Sequence, residues 1–520
     1  MGRAKLFRQK LISHVDSVAV KTVYSWLLHR TRDQFGVSAG EAAKVAQKGY
    51  LLLARTLVRR SEEQILFSAL AGRAIHRKRP TQELPRQEVV LTPWGHDDLE
   101  LQREFGLKAL QNARLARLIE EAYWQDASLS TNMLCLLTNI TAKSIRERLV
   151  PLWEAGIRLP VAGMAKKYRQ GRAFRATAAL EQFLAGEKPA AIRQRLCLSI
   201  TAWEQYQVDF LHVAQLTLGG LGATAIARRL GLHPELVAEY QDVDRHTGGA
   251  ARLAESLPGR LVAITPLPAT DEDPRTLLLA ELQAQHNFSP AKAHSYLALL
   301  EELAEDNLAE DRPPETVVYY AVAEHEPPGK ALSECELVPV QLPYCDAADL
   351  SVTSLDATSD LKWQRLLRYT TEARAQGGLL TQPDLAFLLG VHPGVIQRLM
   401  KEHPQIVLPT RGNIADMGPG LTHAAKIIEL YLQGYTETEI VRRTGHSYSS
   451  VENYLLTFAK VVGLIERGMP LPLIRKTTGC SMKLVEKHAA LYRKYNTPDY
   501  QFMLMQLRRV FENHNAKKGH

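Results

Sequence analysis

Residues 380–400 have the sequence LTQPDLAFLLGVHPGVIQRLM. Thr381 is a residue type that caps helix N-termini, and a short stretch with an apolar face follows it. Gly390 interrupts that stretch, and a second helical pattern starts at His392. Two short helices joined by a sharp glycine turn are typical of the helix-turn-helix, whose second helix enters the major groove of DNA. The segment therefore predicts one helix-turn-helix unit.

Two segments further along the chain repeat this arrangement. Residues 427–454 have the sequence IIELYLQGYTETEIVRRTGHSYSSVENY, in which Gly434 ends one helix and Gly445 supplies the turn before another. Residues 468–488 have the sequence GMPLPLIRKTTGCSMKLVEKH, with Gly479 at the turn. Three such units in succession predict an all-helical array.

The same array occurs earlier in the chain. Residues 129–149 match residues 380–400 at an offset of 251 (380 − 129), with apolar positions facing apolar positions. After a two-residue insertion, residues 158–163 match residues 407–412. From Glu181 and Glu429 as far as Val237 and Val485, the match then continues without a gap at an offset of 248 (485 − 237). A register kept over this length predicts two tandem modules.

Upstream of each array lies a short region with strand patterns. ILFSALA at residues 65–71 aligns with VVYYAVA at 317–323, and VVLTPW at 89–94 resembles VPVQLPY at 338–344. Runs of β-branched and aromatic residues of this length predict strands. The predicted fold class is mainly α with small β elements: a tandem duplication in which each module has a small α+β head followed by three helix-turn-helix units.

The domain organisation follows from the duplication and from composition. Gly, Pro and small residues concentrate between the two modules and indicate a linker. We predict, in order, basic N-terminal helices with the α+β head of module 1 (1–127), its helix-turn-helix array (128–243), a linker (244–281), an acidic α+β head of module 2 (282–378), its array (379–497) and a C-terminal tail (498–520).

Charge is distributed unevenly along this chain of 520 residues, whose formal net charge is +8. Residues 1–80 contain 16 Lys and Arg against 5 Asp and Glu, whereas residues 270–340 contain 4 against 15. Residues 6–28 predict a basic amphipathic helix, which is either a solvated surface helix or a contact for nucleic-acid phosphates. The acidic head either has lost a phosphate-binding role or attracts the basic head.

Other features argue against several classes of protein. The five cysteines are scattered, with no C-x-x-C, which predicts buried thiols in a reducing cytoplasmic setting and neither metal nor cofactor. No apolar stretch predicts a signal peptide or a membrane span. No phosphate loop or nucleophile elbow is present. The acidic residues Asp97, Asp98, Asp346 and Asp349 stand where helices begin and are interpreted as N-caps. We therefore expect no enzymatic activity.

Four segments of module 2 carry a family resemblance: LTQPDLAFLLGV, LPTRGNIADMGPG (408–420), YLQGYTETEIVRRTGHS and EPPGKALSECELVPVQL (326–342). They resemble the prokaryotic domain-of-unknown-function 1670 family. Module 1 is a weaker but co-linear match, with Val-Ala at 161–162 where module 2 has Thr-Arg at 410–411. The resemblance implies helix-turn-helix content, typical of proteins described as regulators or mobile-element accessories, and it implies no particular chemistry.

The candidate DNA-contacting side chains lie at or near the start of the second helix of each unit. In a helix-turn-helix, that region reaches base edges and phosphates; Asn and Gln pair with adenine, and Arg pairs with guanine. The candidates in module 2 are Gln397, Arg398, Lys401, Tyr448, Ser449, Ser450, Asn453, Lys483 and Lys487; those in module 1 are Lys143, Ser144, Arg146, Thr201 and Gln205, with a poorer third set at His233 and Glu235. Arg411, just after the first unit of module 2, is a further candidate, for contact with a phosphate or a minor groove.

Three functions fit these features. The first is a sequence-specific DNA-binding protein that regulates transcription, with double-stranded DNA as its partner. The second is a DNA-binding accessory or targeting subunit of a mobile-element recombination complex. The third is a helical scaffold that binds only proteins. The partner of the scaffold would be a second copy of the chain or another protein, and no membrane is expected to take part.

Overall fold

The computed structural model describes the chain in segments: residues 18, 21–73, 84–164, 171–256, 273–305, 312–327, 332–346, 349, 358–414, 423–444, 448–480 and 482–518. These residues are mainly helical, with two small sheets, as the sequence predicted. Within them, every helix is too short or too polar to cross a lipid bilayer.

The chain divides into two compact units. Unit 1 consists of Met1–Ala321, Leu337–Glu372 and Pro383–Pro393, and unit 2 consists of Val322–Glu336, Ala373–Gln382 and Gly394–His520. Unit 1 therefore contains all of module 1 together with much of the head of module 2. The helical array of module 2 falls almost entirely in unit 2.

The first half of the chain alternates short strands with helices. Its elements, in order, are α1 (Val23–Phe35), α2 (Ala39–Leu52) with a π-helical turn (Leu53–Leu57), β1 (Ile65–Ala71), β2 (Arg86–Leu91), α3 (Asp98–Phe105), α4 (Leu107–Trp124), β3 (Ala127–Ser130), α5 (Thr131–Thr138), α6 (Ala142–Glu154), β4 (Val161–Ala162), α7 (Arg175–Leu184), α8 (Pro189–Leu196), α9 (Ile200–Leu218), α10 (Ala223–Leu230), α11 (Pro234–Thr247) and α12 (Gly249–Ser256).

The second half follows nearly the same order. Its elements are α13 (Pro274–His286), α14 (Pro290–Glu305), β5 (Thr316–Ala323), a 3-10 turn (Leu332–Glu334), β6 (Leu337–Pro343), α15 (Thr358–Ala375), β7 (Gly378–Leu379), α16 (Gln382–Leu389), α17 (Pro393–Glu402), α18 (Arg411–Ile414), α19 (His423–Leu432), α20 (Glu437–Thr444), α21 (Tyr448–Glu466), α22 (Leu471–Thr478), α23 (Met482–Tyr495), a 3-10 turn (Pro498–Tyr500) and α24 (Gln501–Lys518). The repeated order is consistent with a duplication.

The repeat begins earlier than the sequence match indicated. Helix α13 starts at Pro274, which is 251 residues after Val23, the start of α1 (274 − 23); α14 and α2 are related by the same offset. Most of α13 lies in the segment predicted as linker, 244–281. Because the two helix pairs share spacing but few identities, comparison of residues missed the relation.

Helices α1, α2, α13 and α14 share one apolar core within unit 1. Leu27 and Val45 pack with Leu282 and Tyr296, all of them buried. An apolar core shared between residues this far apart in sequence ties the start of module 1 to the start of module 2.

Opposite charges from the two heads pair at the edge of this core. Glu281 of α13 accepts a hydrogen bond from Lys48 of α2 and lies 3.3 Å from His212. Burial alone would raise the pKa of Glu281, but His212 and Lys48 lower it to about 2. Of the two alternatives drawn from the charge asymmetry, these contacts favour attraction between the heads.

The two small sheets are linked at their strand starts. The first has the order β2-β1-β3-β4, and the second has the order β6-β5-β7. The backbone N–H of Leu66 donates to the carbonyl of Pro314, and that of Val318 donates to the carbonyl of Glu62. The second contact repeats the first at an offset of 252, so these head segments meet with approximate two-fold symmetry.

Two buried arginines reinforce this reciprocal contact. Arg60 donates to the carbonyls of Arg312, Pro313 and Pro314. Arg312, at the equivalent position, donates to the carbonyls of Ser61, Gln64 and Thr316. Each guanidinium thus binds backbone carbonyls at the start of the other module's sheet.

Asp98 is a buried counter-ion, which corrects its interpretation as an N-cap. It is the first residue inside α3, with Asp97 at the cap position. Asp98 Oδ2 accepts from Arg114 Nε at 2.8 Å, and Oδ1 accepts from Arg117 Nη1 at 2.8 Å. Although burial raises it, the two guanidiniums lower the pKa of Asp98 to about 2.

The same correction applies to Asp349 in module 2. Arg365 Nε donates to Asp349 Oδ2 at 3.2 Å, and Arg368 Nη2 donates to it at 2.8 Å. All three residues stand 251 positions after Asp98, Arg114 and Arg117. The arginines also bridge modules within unit 1: Arg114 donates to the Phe387 carbonyl, and Arg365 donates to Asn139 Oδ1.

Most of the basic helix predicted at residues 6–28 lies outside the described residues. Residues 1–17 and 19–20 lie outside the described residues, and α1 begins at Val23, where Thr22 Oγ1 accepts from the Ser25 amide at 3.1 Å. Lys21 points inward rather than to solvent. Its Nζ lies 2.5 Å from Asp384 Oδ2, and both side chains are fully buried.

Candidate nucleic-acid interface

Each half contains three successive pairs of helices at the positions predicted for helix-turn-helix units. The first pair is α5–α6 in module 1 and α16–α17 in module 2. The second pair is α8–α9 and α20–α21, and the third is α10–α11 and α22–α23. The glycine turns predicted at Gly390 and Gly479 have left-handed φ values of 63° and 72°.

The second helix of the first pair is exposed in both modules. In α6, Lys143 and Arg146 are exposed and Ser144 is half-buried. In α17, the side chains of Gln397, Arg398 and Lys401 are exposed. These helices therefore present amide and basic groups to solvent.

The placement of Arg411 differs from the prediction that its guanidinium reaches a phosphate or a minor groove. Arg411 is 1% exposed and begins α18 within unit 2. It donates to Cys335 Sγ and to the Pro327 carbonyl, both at 3.3 Å. The guanidinium is therefore buried within unit 2. Its two hydrogen bonds connect the start of α18 to residues 327 and 335.

Helix α21 begins with an exposed polar face. Tyr448 is 53% exposed, and its hydroxyl donates to Thr438 Oγ1 at 2.9 Å. Asn453 is exposed on the next turn. The side chains of Ser449 and Ser450 and the predicted turn at Gly445 lie outside the described residues. The opposite face of α21 is apolar and packs in the core of unit 2.

The third pair of module 2 is held by a small core. Ile474 of α22 and Val485 of α23 pack with Val461 of α21. The side chain of Lys483 lies outside the described residues, and Lys487 is half-buried. Arg475 and Lys476 on α22 are exposed, so this helix presents two basic side chains to solvent.

Helix α23 also buries a histidine. His488 is 2% exposed and lies with its ring 5.5 Å from that of Phe458. Burial lowers the pKa of His488 to about 4. Its neutral form is therefore part of the core of unit 2.

Acidification is expected to destabilise unit 2 through His488. The unfolded chain binds a proton near pH 6.5 and the folded chain only near pH 4, so this stability is present above pH 6.5 and lost as pH falls towards 4. We expect the free energy of unfolding to fall by about 2 kcal/mol between pH 7 and pH 5. Urea unfolding followed by far-UV circular dichroism measures it, and His488→Leu is expected to abolish the difference. An equal pH effect in that variant would refute the assignment to His488.

In module 1, the start of the second pair's second helix is covered by carboxylates. Ser199 caps α9 and donates from Oγ to Asp97 Oδ2 at 2.9 Å. The backbone N–H of Thr201 donates to Glu100 Oε2 at 3.1 Å. A helix N-terminus attracts anions, and here Glu100 and Asp97 already occupy that position.

Gln205, one turn further on, also contacts protein. Its Nε2 donates to Asp209 Oδ1 at 2.8 Å. Asp209 in turn accepts two hydrogen bonds from Arg55, at 3.1 and 2.9 Å. The amide of Gln205 is thus committed to a half-buried ion pair that joins α9 to the head of module 1.

The third pair of module 1 is fixed to the same head. The His233 ring lies 6.4 Å from that of Trp124 and 6.3 Å from that of Phe174. Glu235 Oε1 accepts from Arg73 Nη1 at 2.7 Å. The start of α11 therefore contacts aromatic rings and a guanidinium of module 1.

A family model described as "Protein of unknown function (DUF1670)" matches residues 52–243 and, a second time, residues 282–491. The chain belongs to this family. Two matched segments in one chain are consistent with tandem DUF1670 copies. No curated protein and no solved structure matches the chain.

One group in the second DUF1670 copy has the donor types of a metal site. Ligand atoms of His325, Glu326 and Glu336 lie within 4.8 Å of one another. His325 Nε2 is 3.2 Å from Glu336 Oε2, and Glu326 Oε1 accepts from the Glu336 amide at 2.7 Å. These contacts account for the cluster as part of a hairpin, and we assign no metal to it.

Proposed function

We propose that this protein binds double-stranded DNA in a sequence-specific manner and regulates transcription. The observation that supports the proposal is the exposed polar surface on the second helices α17 and α21, where Gln397, Arg398 and Asn453 face solvent. The two helices belong to the three successive helix pairs of module 2, which we interpret as helix-turn-helix units.

The side-chain chemistry fits base recognition. Asn and Gln form paired hydrogen bonds with the major-groove edge of adenine, and Arg does so with guanine. Lys401, Arg475 and Lys476 are exposed and suit contacts with phosphates, which position a protein on the duplex. The same surface would serve a targeting subunit of a recombination complex; measuring transcription of genes beside the bound site distinguishes the two roles.

Arg398→Ala and Asn453→Ala are each expected to weaken specific binding about 10- to 100-fold, because a paired base contact contributes about 1–3 kcal/mol. Binding to random duplex should change only slightly. The target is first selected from a random duplex library with the full chain. Affinity for the selected and for a scrambled duplex is then measured by fluorescence anisotropy at one salt concentration.

Lys401→Ala is the matched control on the same helix face as Arg398. It is expected to weaken binding to both duplexes by the same factor. The slope of log affinity against log salt concentration should also fall by about one, the value for one phosphate contact. Equal losses on both duplexes for Arg398→Ala and Asn453→Ala would exclude base reading by these residues. If the wild-type chain binds no duplex at low salt, the proposal fails and the protein-binding scaffold is favoured.

A further inference from the structure

We infer that the second and third helix pairs contact DNA in module 2 alone, so that one chain recognises a single non-palindromic duplex site. This inference rests on the proposed DNA-binding function. It follows from a difference between the two DUF1670 copies. In module 1 these pairs are fixed to the head by polar contacts, and in module 2 the residues that would make those contacts are replaced.

The first contact fixes the start of α9. Glu100 accepts from the Thr201 amide, and Asp97 accepts from Ser199. At an offset of 251, the positions of Asp97 and Glu100 are taken in module 2 by Ala348 and Ser351. Neither side chain carries a carboxylate, so these two positions of module 2 cannot repeat the contact that Asp97 and Glu100 make with α9.

The second contact joins the middle of the array to the head. In module 1 it is the ion pair of Arg55 with Asp209, which also engages Gln205. At an offset of 248, module 2 has Thr457 in place of Asp209, and its side chain carries no charge. The equivalent of Gln205 is Asn453, which is exposed.

The third contact fixes α11. Glu235 pairs with Arg73 in module 1. Module 2 has Lys483 in place of Glu235 and His325 in place of Arg73. The charge at the start of the second helix is therefore reversed, from a carboxylate that repels phosphate to an ammonium that attracts it.

The two arrays also fall in different compact units. The array of module 1 is part of unit 1, together with its own head, whereas the array of module 2 lies almost entirely in unit 2. Only the array of module 1 therefore falls in the same compact unit as the whole of its own head.

This difference determines the symmetry of the DNA site. Two equivalent reading surfaces related by a two-fold axis select an inverted repeat. Even if α6 and α17 of the first pairs both touch DNA, the second and third pairs add contacts from one module only. The favoured duplex is therefore asymmetric and binds one chain.

The test compares substitutions at equivalent positions in the full-length chain. Asn453→Ala is expected to weaken binding to the selected duplex at least 10-fold, and Gln205→Ala by less than 2-fold. Likewise, Lys483→Gln is expected to weaken binding to every duplex, whereas Glu235→Gln is not. Tryptophan fluorescence during urea unfolding verifies that each module 1 variant is folded. Glu235→Gln still tests the inference if Gln205→Ala is destabilised.

Two results would overturn the inference while leaving the proposed function intact. One is a loss of 10-fold or more for a folded Gln205→Ala or Glu235→Gln variant. The other is an inverted repeat in the duplexes selected by the wild-type chain, or two chains per duplex in sedimentation equilibrium. By contrast, absence of any duplex binding by the wild-type chain would refute the proposed function itself, and this inference with it.

Discussion

Replacing Asp98 or Asp349 with Ala is expected to destabilise unit 1 by about 3–5 kcal/mol, because each change leaves one buried and one half-buried guanidinium without their carboxylate. Asp98 is 1% exposed and is shared by Arg114 and Arg117. Asp349 is equally buried and is shared by Arg365 and Arg368. When the aspartate carboxylate is lost, the arginine guanidiniums keep their positive charge inside the protein, where water cannot solvate them well.

Urea unfolding followed by tryptophan fluorescence measures this effect. All six tryptophans belong to unit 1, so their emission reports on this unit. Asp33→Ala is the control, because Asp33 also pairs with an arginine but its side chain is 64% exposed. We expect it to change stability only slightly. A similarly small effect for Asp98→Ala and Asp349→Ala would show that the guanidiniums reach solvent once the carboxylate is gone.

The two Asp-Arg-Arg groups also explain why the modules associate closely within unit 1. Arg114 of module 1 donates to the Phe387 carbonyl in α16, and Arg365 of module 2 donates to Asn139, the C-cap of α5. A cation near the last carbonyls of a helix interacts favourably with the helix dipole. An arginine of each head therefore contacts the C-terminal end of the first helix in the other module's array. Asp98 and Asp349 orient these arginines.

Local sequence patterns predicted the elements of this fold well. The strand expected at residues 65–71 is β1 (Ile65–Ala71), and the turns expected at Gly390 and Gly479 have positive φ. Helix periodicity and glycine turns act over a few residues, and sequence displays them directly.

Partners distant in sequence were not predicted. Asp98 was interpreted as an N-cap because N-capping depends only on backbone amides nearby in sequence. The arginine partners of Asp98 lie 16 and 19 residues later, on α4. The repeated spacing of Asp98, Arg114 and Arg117 in Asp349, Arg365 and Arg368 was a detectable signal, since a shared cap would not require the same arginine spacing in both modules.

The candidate site was predicted only in part for the same reason. Exposure of Gln397 and Asn453 follows from helix periodicity, because the apolar face of each helix defines the opposite one. The burial of Arg411 and the contacts of Thr201 depend on segments 76 to 101 residues away. Nothing in the local pattern distinguishes a helix start that faces solvent from one that faces a carboxylate of its own head.

Lys21→Met is also expected to destabilise unit 1 by about 3–5 kcal/mol, because Asp384 would remain buried without a counter-charge. Lys21 Nζ lies 2.5 Å from Asp384 Oδ2, and the hydroxyl of Tyr319 donates to Oδ1 of the same carboxylate at 2.8 Å. This lysine therefore stabilises the fold and is not available to phosphates. The same urea titration measures the loss, and Lys44→Met, at a side chain 57% exposed, is the control with little expected effect.

The double variant Lys21→Met with Asp384→Leu separates an ion pair from a packing defect. Replacing a buried pair by apolar residues of similar volume removes both desolvated charges, so the double variant should recover most of the stability lost in Lys21→Met. Tyr319 then lacks its acceptor, at a cost of about 1 kcal/mol. If the double variant is instead less stable than Lys21→Met, loss of packing rather than an unpaired carboxylate dominates, and the basic N-terminal segment contributes to the core mainly through its methylene groups.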